Sequence, residues 1–186
     1  AQMLGWLEAV SFSDATLSWV NDGFKNQAPT FPQLLMYAER LGVVPEKMIL
    51  GASVYRKIQS PLFEMLIDVG AVGLDHQPGH AHADTFSFEL FYKGETLITD
   101  TGTSTYETGT IREFERSTAA HNTVEVFNQN SSDVWKSFRV GRRAGITDLQ
   151  EAPQKIISRH NGYKHLGIIH TRTWEWSDSS ITITDE

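Results

Sequence analysis

Two strand-like runs joined by a short turn constrain this chain more than any other stretch. Thr85-Phe86-Ser87-Phe88-Glu89-Leu90-Phe91-Tyr92 and Thr96-Leu97-Ile98-Thr99-Asp100 flank Lys93-Gly94-Glu95, a pattern that reads as a hairpin turning at Gly94. The segment that feeds the first run, Pro78-Gly79-His80-Ala81-His82-Ala83-Asp84, sets two imidazoles two positions apart. In extended chain they share a face. The hairpin brings Asp100 back beside His82, and His121 opens a further β-branched run, Thr123-Val124-Glu125-Val126, that reads as a strand alongside. Two imidazoles and a carboxylate make a zinc set, with a fourth position for water or a second His. Polar residues that merely cap strands near a loop would give the same pattern.

Composition narrows the classes. The chain has 186 residues, five Trp and no Cys. Its length suits one domain plus a piece of another. Without Cys there is no disulfide framework, thiolate metal site or Cys nucleophile. No run reaches the apolar length of a membrane span, and no leader peptide is visible. The net charge of −7 argues against nucleic acid or an anionic membrane as partner. An acidic polysaccharide needs only a local basic patch, and Lys136, Arg139, Arg142 and Arg143 supply one, with Arg112 and Arg116 upstream. The stretch from Glu107 to Ser117 reads as a short helix or an irregular arm; if helical, those two sit i, i+4, on one face, which would leave both for a carboxylate or sulfate.

Along the chain, residues 2–10 have helical spacing, and Asn21-Asp22-Gly23 reads as a turn in a loop that runs through Pro29. Thr30 is the expected N-cap of a second helix, with Gln33 at N3 and Leu34, Leu35, Tyr37, Ala38 and Leu41 as its buried stripe. Gly42 is the expected terminator. After the Pro45 linker the period turns β-like, with a strand at Phe63–Val69. His165 and His170 are expected as cross-strand residues and His76 as an exposed loop residue. Trp174 and Trp176 share one strand face, expected as core, with a sugar-stacking platform as the alternative. The chain opens within a helical pattern and closes within a strand, and so reads as a piece of a longer protein.

The strings GHAHADTFSFEL, LITDTGTSTYETG and ERSTAAHNTVEV, followed by NQNSSDVWKSFRVGRRA and HNGY, resemble the heparinase II/III family of polysaccharide lyases and their alginate-lyase relatives. The likeness runs from about Tyr55 onward; it is specific for the family and weak for the substrate. It implies the helical tail of an (α/α) toroid over residues 1–45, with Asn21-Asp22 either in a loop facing the sandwich or simply a turn chosen for backbone shape, then an antiparallel β-sandwich over 46–186. It further implies a metal, usually zinc, held by His82, Asp100 and His121, with His80 as the sandwich-borne active-site His and Tyr106 along the sugar groove. Arg112, Arg116 and Arg139 become candidate substrate contacts. His160 and Tyr163 join them through HNGY, which has Asn where the family motif has Asp.

The implied activity is β-elimination on a uronic-acid polymer, heparan-like or alginate-like, by a secreted or periplasmic protein. A Tyr acid/base and an Asn or His neutraliser would come from the remaining toroid, so this piece alone is expected to be inactive. Two rivals remain: a non-catalytic carbohydrate-binding sandwich, and a cupin-like metalloenzyme. Cupins share HxH but want a Glu three or four positions further on, where Thr85 and Phe86 stand.

Overall fold

A computed structural model describes residues 1–24 and 28–186. Part of the loop expected before Pro29, residues 25–27, lies outside the described residues. Two helices, α1 (Gln2–Val10) and α2 (Phe31–Arg40), precede a strand-rich body. Thr30 and Gln33 cap α2 reciprocally, satisfying two N-terminal donors as such a box does. Gly42, at φ 67°, closes the helix in the left-handed region. The expected buried stripe is corrected: Phe31 and Ala38 are buried, whereas Tyr37 and Leu41 stand in solvent.

The body is an antiparallel β-sandwich. One sheet has the order β1-β2-β3-β4 (Tyr55–Gln59, Phe63–Asp68, Phe88–Tyr92, Glu95–Ile98). A seven-residue helix, α3 (Thr110–Arg116), and a small hairpin of β5 (Val134–Trp135) and β6 (Arg139–Val140) follow. The second sheet has the order β10-β9-β8-β7, built from Ile146–Ala152, Lys155–His160, His170–Trp176 and Ile181–Asp185 in chain order. Ile58, Phe63, Met65, Ile67 and Leu90 of the first sheet pack against Ile156 and Trp174 of the second. Truncating a fully buried Trp such as Trp174 costs about 3–5 kcal/mol.

Strand β2 is buried along its whole length because both its faces are covered. Leu66 points away from the sandwich core into a second cluster with Val10, Phe12, Leu50, Tyr55 and Phe91. The N-terminal segment therefore lies on the outer face of the first sheet, and its continuation, residues 19–23, reaches the sheet's end.

Two strand expectations need correction. The first hairpin strand begins at Phe88, since Ser87 N–H closes a turn onto Asp84 (2.7 Å) and Phe86 sits at φ 71°. A bulky residue holds such a conformation only where its surroundings fix it; here the rings of His160, His170 and Trp174 enclose Phe86 edge-on. Residues 123–126 form no strand, because their partners are irregular: Thr123 Oγ1 bonds Thr85 O (2.9 Å), and Val124 O accepts from the Tyr163 hydroxyl (2.7 Å). Trp174 is core as expected and His76 is exposed. Among the described residues no helix is long and apolar enough to cross a membrane.

Candidate active site

The segment bearing the two imidazoles is not a strand. Pro78–His80 is one turn of 3-10 helix, and Ala81 then extends. This leaves the His80 side chain about half exposed, 58%, and buries His82 completely. Both imidazoles turn toward one carboxylate, that of Asp22. Its Oδ2 lies 2.6 Å from His80 Nδ1, and its Oδ1 lies 2.9 Å from His82 Nε2. Oδ1 also accepts from the Thr103 hydroxyl (2.9 Å) and pairs with Arg112 Nη1 (2.6 Å). Burial alone would raise the pKa of Asp22, but the hydrogen bonds from His82, Arg112 and His80 outweigh it and hold the carboxylate well below its usual range.

Local backbone chemistry delivers Asp22. Asn21 turns the chain at φ 51°, its Oδ1 accepting from His82 N–H (3.2 Å) and its amide donating to Tyr55 Oη (3.2 Å). Gly23 O accepts from Thr103 N–H (2.9 Å). Opposite it, Gly102 is required: it sits at φ 59°, and a Cβ there would lie 2.6 Å from Gly23 O. Glu89, buried, accepts from both Trp19 N–H (3.0 Å) and Asp100 N–H (2.9 Å), tying the N-terminal loop to the hairpin end.

Asp100 meets His121 rather than His82. Its Oδ2 bonds His121 Nδ1 at 2.7 Å, and Oδ1 accepts from Gly102 N–H (3.0 Å). Burial would lower the His121 pKa; the bond to Asp100 and the charges of Asp100 and Asp84 raise it overall. Burial dominates at His82 and lowers its pKa. The two rings stand 5.3 Å apart between centroids. His82 Nδ1 and His121 Nε2 are both buried without a hydrogen-bond partner. Among the described residues no three His, Cys, Asp or Glu side chains are drawn together closely enough to hold a metal ion. The donor chemistry nevertheless fits one: each imidazole has its far nitrogen on a carboxylate, the arrangement that orients metal-bound His, and its near nitrogen orphaned. In that arrangement Asp100 is the orienting partner of His121.

The surface around His80 is aromatic. Tyr106 and Phe138, each less than half exposed, lie 6.1 and 5.4 Å from the His80 ring centroid. Burial, and then the Asp22 charge, raises the Tyr106 pKa against the opposing effect of Arg112, so its hydroxyl keeps its proton at neutral pH. Phe138 gave no sequence signal beyond its place between two basic residues.

Four of the expected substrate contacts are corrected by burial. Arg112 and Arg116 are fully buried, and both are spent inside the protein. Arg112 donates to Asp22, Thr103 and Ser137 O. Arg116 donates to the carbonyls of Gly79, Ala81, Trp135, Lys136 and Arg139. His160 and Tyr163 are buried too: His160 Nε2 faces His170 Nδ1 at 2.9 Å, and Tyr163 donates to Val124 O. The sequence marks a charged or polar side chain; it does not mark which carbonyls will enclose it. Arg139 remains at the surface, beside Lys136 and Phe138 in a shallow pocket. His165 is not in a strand, and its Nε2 meets Gln129 Oε1 at 2.9 Å. His170 lies in β9, as a cross-strand residue would.

The family model described as heparinase II/III-like, C-terminal, matches residues 50–186. No curated protein matches the chain in sequence. Among solved structures, a heparan sulfate lyase HepC mutant from Pedobacter heparinus superposes with a TM-score of 0.68 at 18% identity, covering 98% of this chain and 31% of that one. A heparinase III with methylated lysines gives 0.65 at 18% identity, with the same coverages of 98% and 31%. Another heparinase III gives 0.57 at 16% identity, covering 95% of this chain and 31% of its own. At such identities the likeness shows the fold. The chain spans about a third, 31%, of the solved chains it matches.

Proposed function

Since the chain belongs to the heparinase II/III-like C-terminal family, we propose that it is the sandwich portion of a secreted or periplasmic polysaccharide lyase acting on a uronic-acid polymer by β-elimination. The observation that carries the reading is the His80–Asp22 pair, 2.6 Å long, with the imidazole left open to solvent.

Elimination removes the weakly acidic proton α to the uronate carboxylate and expels the 4-linked oxygen, so it needs a base, an acid and neutralisation of the carboxylate. With Nδ1–H donated to Asp22, His80 presents the Nε2 lone pair to the groove. The fixed carboxylate then stabilises the imidazolium formed when the proton is taken, as a base–orienter pair does. Tyr106, on the same rim, keeps its proton and lines the sugar path as a donor. Surface-exposed Arg139 takes the acidic group of a neighbouring sugar. The rest of the acid/base set and the carboxylate neutraliser come from the remaining toroid, so residues 1–186 alone are inactive.

His82 through Nδ1 and His121 through Nε2 would hold a divalent cation, zinc by donor type, with Asp100 orienting His121. Bound there, the ion supplies a fixed charge that locks the loops on either side of His80.

The full-length protein, offered heparan sulfate, alginate and hyaluronan in turn, is expected to generate unsaturated-uronate absorbance on one of them, lost in His80→Ala. Binding without any new absorbance on all three would favour a carbohydrate-binding sandwich instead. The cupin-like alternative has less support, since the HxH segment lies on a 3-10 turn beside an open four-stranded sheet.

A further inference from the structure

Phe138 is an apolar ring left 44% exposed at the centre of a polar site. Single exposed apolar residues are common and mean little. This one is not single: its ring centroid lies 5.5 Å from Tyr106 and 5.4 Å from His80. The rings share a backing, for the buried Arg112 guanidinium lies 5.2 Å from the Tyr106 centroid and 5.7 Å from that of Phe138. With that cation beneath them, their exposed parts turn outward.

The backbone that carries the ring is also tied down. Ser137 O, just before it, accepts from Arg112 Nε (3.1 Å) and Nη2 (3.0 Å). On its other side, Arg139 O accepts from Arg116 Nη1 (3.2 Å). Phe138 O packs at Gly79, where a Cβ would come within 3.3 Å. Two buried arginines thus fix the β5–β6 turn against the loop that carries His80. Lys136 and Arg139 line the pocket on which Phe138 opens. A ring face on anchored backbone, flanked by cations, suits a pyranose that presents axial C–H bonds on one face and an anionic group at its edge. It suits neither a flat neutral surface, which has no use for the cations, nor a bare anion, which has none for the ring.

We propose that Phe138 is a substrate-binding residue, stacking, together with Tyr106, the sugar ring next to the uronate at His80, while Lys136 and Arg139 hold that sugar's carboxylate or sulfate. This rests on the lyase reading above and adds a subsite to it.

The test uses the full-length protein and a heparan sulfate hexasaccharide, with steady-state cleavage measured in the native background and calorimetric binding measured in His80→Ala. Phe138→Leu is expected to raise KM and the binding Kd about tenfold with kcat little changed. Phe138→Tyr should keep both near the native values. Phe127→Ala, at a ring 77% exposed elsewhere on the surface, serves as control and should change neither. Equal KM and Kd for Phe138→Leu, Phe127→Ala and native protein would overturn the stacking role while leaving the lyase reading intact. A loss in Phe138→Leu with unaltered melting temperature supports it. Native protein that neither binds nor cleaves the hexasaccharide, alginate or hyaluronan fails the lyase reading itself, and the subsite with it.

Discussion

His80 Nδ1 and Asp22 Oδ2 lie 2.6 Å apart although 58 positions separate them in the chain. The imidazole comes from the sandwich and the carboxylate from the N-terminal loop, so the base of the groove exists only where the two meet. Asp22→Asn keeps the size and replaces the carboxylate that holds His80 Nδ1. In the full-length protein kcat should fall on the order of 10²-fold or more, as expected when a general base loses its orienter, with a smaller change in KM. A kcat within threefold of native would remove Asp22 from the mechanism.

Arg112 and Arg116 should behave as stability residues. Removing one partner of a buried, hydrogen-bonded charge costs about 3–5 kcal/mol, and Arg112→Ala would strand the Asp22 carboxylate. Thermal melting of Arg112→Ala and Arg116→Ala should show that loss, whereas Arg139→Ala should melt like the native protein. An unchanged melting temperature with a raised KM in Arg116→Ala would return that residue to the substrate.

Stability should fall on acidification through a buried histidine chain. His160 Nδ1 accepts from Gly162 N–H (3.0 Å), so in the neutral ring Nε2 carries the proton and donates to His170 Nδ1; His170 Nε2 then faces Asp185 at 2.7 Å. Burial, with the charges of His170 and Arg172, pushes the His160 pKa down from 6.5 to about 3. The unfolded chain therefore binds a proton that the folded chain refuses, and stability drops by up to about 1.4 kcal/mol per pH unit below about 6.5. Asp185, held below its usual range against burial by His170 and Arg172, adds a loss in the same direction at lower pH. His121, with a raised pKa, opposes both: its contribution is fullest below its unfolded pKa and fades as pH rises through the folded value. His82, its pKa also lowered by burial, adds to the loss. The fall in unfolding free energy between pH 7 and pH 4 should be smaller in His160→Gln than in the native protein; an equal fall in both would refute this assignment.

Metal content separates ligands from orienters. His82→Ala and His121→Ala should lose stoichiometric zinc from the purified protein. Asp100→Asn should retain it with affinity reduced about 10–100-fold, as for partners one step removed from the ion. Zinc unchanged by all three substitutions would place the ligands elsewhere.

Much of the frame was legible in the sequence because periodic features survive in it. The β-like period marked Phe63–Val69, which the structure ends one residue earlier at Asp68, and the Gly94 hairpin; Thr30 and Gln33 announced their reciprocal cap, and Trp174 fell into the core. The site was legible only as a set of residue types. Asn21-Asp22-Gly23 reads as a turn, and Asn21 does turn the chain, but nothing in a local window tells that the middle carboxylate will collect His80, His82, Thr103 and Arg112 from far downstream. Arg116 misled for a related reason: the default for a guanidinium is solvent, and only the folded loops show carbonyls gathered around it.

That same guanidinium spans two loops, gripping Gly79 and Ala81 on one side and Trp135, Lys136 and Arg139 on the other. It works as a spacer bar: one side chain, paired with no carboxylate among the described residues, fixes how far the loop that carries His80 stands from the β5–β6 hairpin, and a shorter residue there would leave carbonyls from both loops facing each other with no donor between them.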